Sequence, residues 1–227
     1  MMPPSYHLFT QQLNQLPLFK GLAPQTLADL AQGSLWQEYT AGAIIFLEGE
    51  DSAGLHYVAS GWLKVVKSSS EGREQVLRYI GPGDTFNEVG AFTHRPNPAT
   101  AIALEPTAIW MLPRAAVMRL VRQQPDVAQR IIENMADNMV YLVNLVADIS
   151  LRPVIGRLAR LLLDEAKGDK ILLRPLWQTQ TELAARLGTV PDVLQRAMRT
   201  LENDGLVQTQ RREIRILNPA GLEALAA

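Results

Sequence analysis

The sequence predicts an α+β fold: a β-domain of β-roll or jelly-roll type flanked by short helices, a long helix, and a C-terminal winged helix-turn-helix domain. Residues 35–112 alternate short β-branched and aromatic runs with glycines, which is typical of an all-β sandwich or barrel. Residues 126–150 carry apolar side chains at helical spacing, and residues 179–203 suit two helices joined by a tight turn. We expect domains at 1–125 and 151–227, with the long helix between them.

The composition indicates a folded protein, with 47% hydrophobic and 20% charged residues. There is no Cys, which excludes disulfides, thiolate metal sites and Cys nucleophiles. No signal peptide and no apolar run of about 20 residues is visible, so we expect no membrane partner and a cytoplasmic location. Residues 113–227 hold 16 Lys and Arg against 13 Asp and Glu, a mildly basic balance that is compatible with nucleic acid.

The long helix carries a stripe of apolar residues whose spacings alternate between four and three. This apolar stripe consists of Ala128, Ile132, Met135, Met139, Leu142, Val146 and Ile149. Such a heptad pattern is typical of a two-stranded coiled coil. Ile131, Val143 and Leu145 add apolar surface beside it, and a helix that is apolar on more than one side needs more than one partner. We therefore predict a dimer seam; the alternative is an amphipathic helix packed on its own domain.

Residues 179–203 predict a helix-turn-helix. Gly188 suits the end of the first helix and a tight turn, and Pro191 suits the first turn of the second helix. The second helix places four polar side chains on its outward face: Asp192, Gln195, Arg196 and Arg199. Because the second helix of such a motif enters the major groove, we predict that it binds DNA and that Arg196 contacts guanine O6 and N7.

The other polar residues of this region have predicted roles as well. Gln195 suits adenine or a phosphate, Asp192 suits cytosine N4 or the helix start, and Arg199 suits a phosphate. The following segment GLVQTQRREIRIL predicts a β-hairpin wing. Arg211 and Arg212 at its tip suit phosphate contacts, which position a protein without specifying sequence.

The order of motifs resembles the CRP/FNR family of bacterial regulators along most of the chain. The resemblance is carried by FKGL, YVASGWLKVV, GPGDTFNEVGAF, PNPATAIALEP, the long helix, GRLARLLL and the helix-turn-helix. It implies a transcription regulator that has a sensory β-roll. Such a regulator binds palindromic operators in double-stranded DNA as a homodimer. It also implies RNA polymerase as a partner.

The resemblance further implies an effector pocket. Cyclic-nucleotide-binding members hold the sugar and the cyclic phosphate with a Gly-Glu pair and an Arg-Ser pair. Here Asn87-Glu88 and Asn97-Pro98 stand at those places, and Leu142 and Val143 stand where hydroxyls would hold the base. The substitutions remove a bidentate cation and a backbone N–H donor. We therefore expect no tight binding of cyclic AMP; the effector is an unidentified apolar or anionic small molecule, or there is none.

The sequence contains few residues that could bind a metal or a cofactor, and few motifs typical of an enzyme. The three histidines, His7, His56 and His94, are far apart, so we predict no metal site and no cofactor, haem included. A cupin-like enzyme would need clustered metal ligands, and no nucleophile elbow, P-loop or dinucleotide fingerprint occurs, so we expect no enzyme. A degenerate winged helix that binds protein instead of DNA is the other alternative, because the basic charge is small.

Overall fold

A computed structural model describes residues 5–226 of the chain. It divides into two units. The first unit extends to Lys67 and includes Arg78–Val140, and the second comprises Ser68–Leu77 and the described residues from Tyr141 onward. The chain therefore passes between the units at three points: once in each strand of a β-hairpin and once in the long helix.

Two four-stranded sheets form the N-terminal β-domain, with strand orders β1-β8-β3-β6 and β2-β7-β4-β5. The strands are β1 (Leu35–Tyr39), β2 (Ile44–Phe46), β3 (Gly54–Ser60), β4 (Leu63–Ser68), β5 (Glu74–Ile80), β6 (Thr85–Phe86), β7 (Thr100–Ala103) and β8 (Thr107–Pro113). Both sheets contribute side chains to one buried cluster: Val58, Leu63, Ile80, Phe86, Ala101 and Ile109. The predicted β-domain is confirmed.

Short helices cover one sheet of this domain. They are α1 (Tyr6–Gln15), a 3-10 turn (Pro17–Phe19), α2 (Pro24–Gln32), α3 (Glu88–Phe92) and α4 (Arg114–Gln123), and the long helix α5 (Pro125–Leu151) follows. The Phe9 ring stacks on the Trp110 ring of β8, with centroids 4.4 Å apart. Val127 and Ile131 join the same core, so the first two turns of α5 are anchored in it.

The C-terminal domain is a helix-turn-helix with a wing, as predicted. Its elements are α6 (Val154–Ala166), β9 (Ile171–Leu173), α7 (Gln180–Arg186), α8 (Pro191–Asn203), β10 (Val207–Thr209), β11 (Glu213–Ile216) and α9 (Pro219–Ala226). The three strands form one sheet in the order β10-β11-β9. Every helix contributes to a separate core that includes Leu158, Leu183, Leu194, Leu201 and Leu222.

His56 lies inside the β-domain, on β3. Its ring stacks on the Phe86 ring with centroids 5.0 Å apart, and only 6% of the residue is exposed. Burial lowers the pKa of His56 from 6.5 to about 4, against a smaller opposing contribution from a hydrogen bond with the Gly54 backbone. His56 is therefore a neutral core residue at pH 7.

We predict that His56 makes the first unit sensitive to acid. The unfolded histidine binds a proton below pH 6.5 and the buried one only near pH 4, so the free energy of unfolding falls as the pH drops through this window. The loss attributable to His56 reaches about 3 kcal/mol. Denaturant titrations between pH 7 and pH 4 should show a smaller loss for His56→Phe, which keeps an aromatic ring. The exposed His94→Phe serves as the control, and equal losses in the wild type and His56→Phe would contradict the prediction.

Candidate nucleic-acid interface and effector site

The first helix of the motif has a defined start and a tight exit. The backbone N–H of Glu182 donates to Thr179 Oγ1 over 3.2 Å, which caps α7. Leu183 and Ala184 are buried and hold α7 on the domain. Gly188 has φ +62°, in the left-handed region that glycine adopts without strain, and this lets the chain turn into α8.

Helix α8 is divided into a buried and an exposed side. Leu194, Ala197, Met198 and Leu201 are buried in the core. The four residues predicted to contact DNA, Asp192, Gln195, Arg196 and Arg199, are all exposed. None of their side chains has a hydrogen-bond or ion-pair partner within residues 5–226. The face is therefore free to bind a ligand, and the individual DNA contacts stay predictions.

The start of α8 has no side-chain cap. Val190 is the N-cap residue, and its side chain accepts no hydrogen bond. The N–H groups of Val193 and Leu194 both donate to the Val190 carbonyl, over 3.1 Å each. The first turn is thus closed by the backbone, and Thr189 does not cap it.

The wing is a short hairpin whose tip is basic. The Gln210 N–H donates to the Glu213 carbonyl over 2.8 Å and closes the turn between β10 and β11. Arg211 and Arg212 at the tip are exposed. Their guanidinium groups extend from a three-stranded sheet and are available to an anionic partner.

The apolar stripe of α5 is mostly exposed in the single chain. Ile132, Met139 and Val146 are 67%, 64% and 63% exposed, and Met135, Leu142 and Ile149 are also exposed. Only Ala128, close to the anchored first turns, is half-buried. The chain therefore does not bury the stripe on its own domain, and a continuous apolar surface of this kind marks an interaction site.

The predicted effector pocket has polar groups on its β-domain side. Asn87 adopts φ 71°, and its Nδ2 donates to Ser52 Oγ over 2.9 Å. Glu88 begins α3, and its Oε1 is buried without a hydrogen-bond partner. Burial raises the pKa of the Glu88 carboxyl, while Arg78 opposes that shift.

Asn97 is built into the same region. It is 2% exposed; its N–H donates to the Glu50 carbonyl and its carbonyl accepts from the Gly49 N–H, each over 2.9 Å. Its Oδ1 accepts no hydrogen bond from any of residues 5–226. Leu142 and Val143 are exposed and belong to the second unit, so that they line this pocket stays a prediction.

Arg78 is a further candidate residue for this site that the motifs did not identify. It lies on β5, and its Nη1 donates to Asn138 Oδ1 of α5 over 3.1 Å. Val76 and Ile80, two residues to either side, are buried. Alternate residues of a strand share a face. A charged residue that alternates with two buried apolar residues on such a face could therefore have been identified from the sequence as a candidate.

The described residues give no sign of a metal centre. Residues 5–226 contain no group of three or more His, Asp or Glu side chains that could hold a metal ion. None of the helices in this range is both long and apolar enough to cross a membrane.

Two family models match the chain: a cyclic nucleotide-binding domain at residues 36–124 and a Crp-like helix-turn-helix domain at residues 156–225. The cyclic AMP receptor protein of Thermus thermophilus is 30% identical over 212 residues, which cover 92% of this chain and 96% of the relative. A structure from Eubacterium rectale, described as a transcriptional regulator of the Crp/Fnr family, has a TM-score of 0.74 and 27% identity, covering 94% and 99% of the two chains. FixK2 from Bradyrhizobium japonicum shares the fold, with a TM-score of 0.75 and 20% identity over 86% and 98% of the two chains.

Two features favour glycine at position 188: its left-handed backbone conformation, and the closeness of the Gln75 side chain to the place where a Cβ would stand. Gln75, also in the second unit, donates from Nε2 to the Arg186 carbonyl over 3.3 Å. A Cβ at Gly188 would lie 2.5 Å from Gln75 Oε1, whereas a Cβ at Gly205, with φ +66°, would meet nothing within 4 Å. We expect each Gly→Ala variant to lose about 1–2 kcal/mol for its backbone conformation. At Gly188 alone we expect a small further loss, because the flexible Gln75 side chain must move and give up its hydrogen bond to the Arg186 carbonyl.

Thermal unfolding of the two single variants measures this difference, and Gln75→Ala should remove it when combined with Gly188→Ala. Equal losses at Gly188 and Gly205 would show that the Gln75 contact has no energetic effect.

Proposed function

Because the chain belongs to the CRP/FNR family of DNA-binding transcription regulators, we propose that it binds a palindromic operator in double-stranded DNA as a homodimer. The observation that carries this proposal is the outward face of α8. Its polar side chains have no partners among the described residues, while the opposite side of the helix is buried in the domain core.

In this proposal α8 lies in the major groove. Arg196 donates two hydrogen bonds to guanine O6 and N7, and Gln195 and Asp192 contact neighbouring bases or the backbone. Arg199 and the wing residues Arg211 and Arg212 bind phosphates and fix the orientation of the domain. Their exposure supports these roles.

The apolar stripe supports the homodimer. Six of its seven side chains are exposed in one chain, and a second copy of the same helix offers a matching surface. Packing two stripes in parallel gives a two-stranded coiled coil. Two recognition helices related in this way can meet successive major grooves about 34 Å apart, which is why the operator would be palindromic.

We propose that the β-domain responds to a small molecule other than cyclic AMP. One relative is named as a cyclic AMP receptor protein, but Asn97 and Pro98 occupy the positions where the family places Arg and Ser. The buried side chain of Asn97 is uncharged and presents an oxygen without a partner among the described residues, so it suits a hydrogen-bond donor and cannot clamp a phosphate at that position. The DNA-bound dimer would act on RNA polymerase in the cytoplasm, where the chromosome lies.

A change at Arg196 should alter which sequences are bound. With an operator selected from random DNA, Arg196→Ala should lose about 1–3 kcal/mol of preference at one base pair of each half-site. Arg212→Ala is the matched control, because loss of a phosphate contact should weaken all sequences alike and lower the salt slope by about 1 per domain.

Binding assays on a set of single-base operator variants, repeated at several salt concentrations, separate the two effects. An Arg196→Ala protein with unchanged affinity and unchanged base preference would contradict the assignment of α8. A wild-type protein whose binding does not weaken with salt would contradict DNA binding through phosphates.

A further inference from the structure

The interior face of β5 contains one cation. Val76, Arg78 and Ile80 share this face by alternation, and the two apolar residues are at most 2% exposed. An arginine between two core positions is unusual, because a buried or half-buried charge is normally paired. Its neighbours therefore decide its role.

Arg78 forms no ion pair within the described part of the chain. Its one hydrogen bond goes to a neutral carboxamide, Asn138 Oδ1. Within the described residues, no Asp or Glu oxygen comes within 4.0 Å of the guanidinium. A guanidinium has five N–H donors arranged as a fork that fits a carboxylate or a phosphate. Most of that capacity is unused.

A hydrogen-bond acceptor lies in the same neighbourhood. Arg78 is close enough to Glu88 to lower the pKa of its carboxyl against the larger effect of burial, although the two do not form an ion pair. Glu88 Oε1 is buried and accepts from nothing among residues 5–226. The region therefore offers a cation without an ion-pair partner among residues 5–226 and a buried, unpartnered acceptor within its electrostatic range, which suits a ligand that carries an anionic group and a hydroxyl.

We propose that Arg78 binds the anionic group of the ligand in the effector pocket and that the effector is a small hydroxylated oxyanion. Its carboxylate or phosphate binds the Arg78 fork, and its hydroxyl donates to Glu88. The inference rests on the proposed function of the β-domain as an effector sensor, and it does not depend on DNA binding.

The same contact offers a way to switch the protein. Asn138, the present partner of Arg78, lies on α5 one turn after Asn134, to which it donates from Nδ2 over 3.1 Å. An oxyanion that binds the fork through Nη1 competes with Asn138 Oδ1 for that donor, and so changes a contact between the β-domain and the helix that carries the apolar stripe. A ligand with different contacts in two states shifts their populations.

Calorimetric titration of the full-length protein with three probes tests the proposal: ribose 5-phosphate, gluconate and neutral ribose. At least one of the two anions should bind the wild type about tenfold or more tightly than ribose. Comparison of the phosphate with the carboxylate shows which oxyanion the site prefers. Failure of both anions to bind would overturn the proposal.

Variants locate the binding. Arg78→Gln should lower the affinity for the anion about tenfold or more. Arg78→Lys should retain part of the affinity, because it keeps the charge without the fork. Asn138→Ala should raise the affinity, because it removes the competing acceptor. Arg73→Gln is the control, since Arg73 is exposed and paired with Glu71.

Unchanged affinity in Arg78→Gln would refute the role of Arg78, and circular dichroism checks that each variant is folded. If Arg78→Gln does not fold, the opposite effects expected of Arg78→Lys and Asn138→Ala decide. Operator binding is measured separately in the absence of probes. A protein that binds its operator but neither anion refutes this inference alone, whereas one that binds an anion but no DNA refutes the proposed function alone.

Discussion

Most of the apolar stripe of α5 is left uncovered by residues 5–226, and the proposed assembly depends on this constraint. Each Val, Leu, Ile or Met side chain moved from water to an apolar contact stabilises an assembly by about 1.5–3 kcal/mol. The first two turns of α5 use Val127 and Ile131 to join the β-domain core, while the stripe continues along exposed turns. A second copy of the helix would bury these side chains and would fix how two α8 helices face DNA.

Two arginines illustrate how surroundings set the role of one residue type. Arg196 is exposed on a helix held rigidly by its buried side, so its fork is available to a large partner such as a base pair. Arg78 is half-buried on a strand face that it shares with core residues and has one neutral hydrogen-bond partner, which is why we propose a small ligand for it. Helix α5 contacts Arg78 through Asn138 and carries the proposed seam.

The sequence was most informative where the structure depends on local spacing. The helix-turn-helix follows from Gly188, Pro191 and a helical period, and the wing follows from a short hairpin pattern. The polar surroundings of the effector pocket depend instead on which distant segments meet. Arg78 and Asn138 are 60 positions apart, and the burial of Asn97 depends on its bonds to the loop at Glu50. Spacing within one segment does not contain that information.

Disulfide trapping tests the packing of the seam most directly, because the chain has no Cys of its own. Val146 lies on the apolar stripe, and the exposed Asn144 lies about 200° away around α5. If two stripes pack in parallel, mild oxidation should link Val146→Cys into a covalent dimer on a non-reducing gel and leave Asn144→Cys monomeric. Equal linkage of the two variants, or none of Val146→Cys, would contradict the seam and with it the geometry proposed for DNA binding.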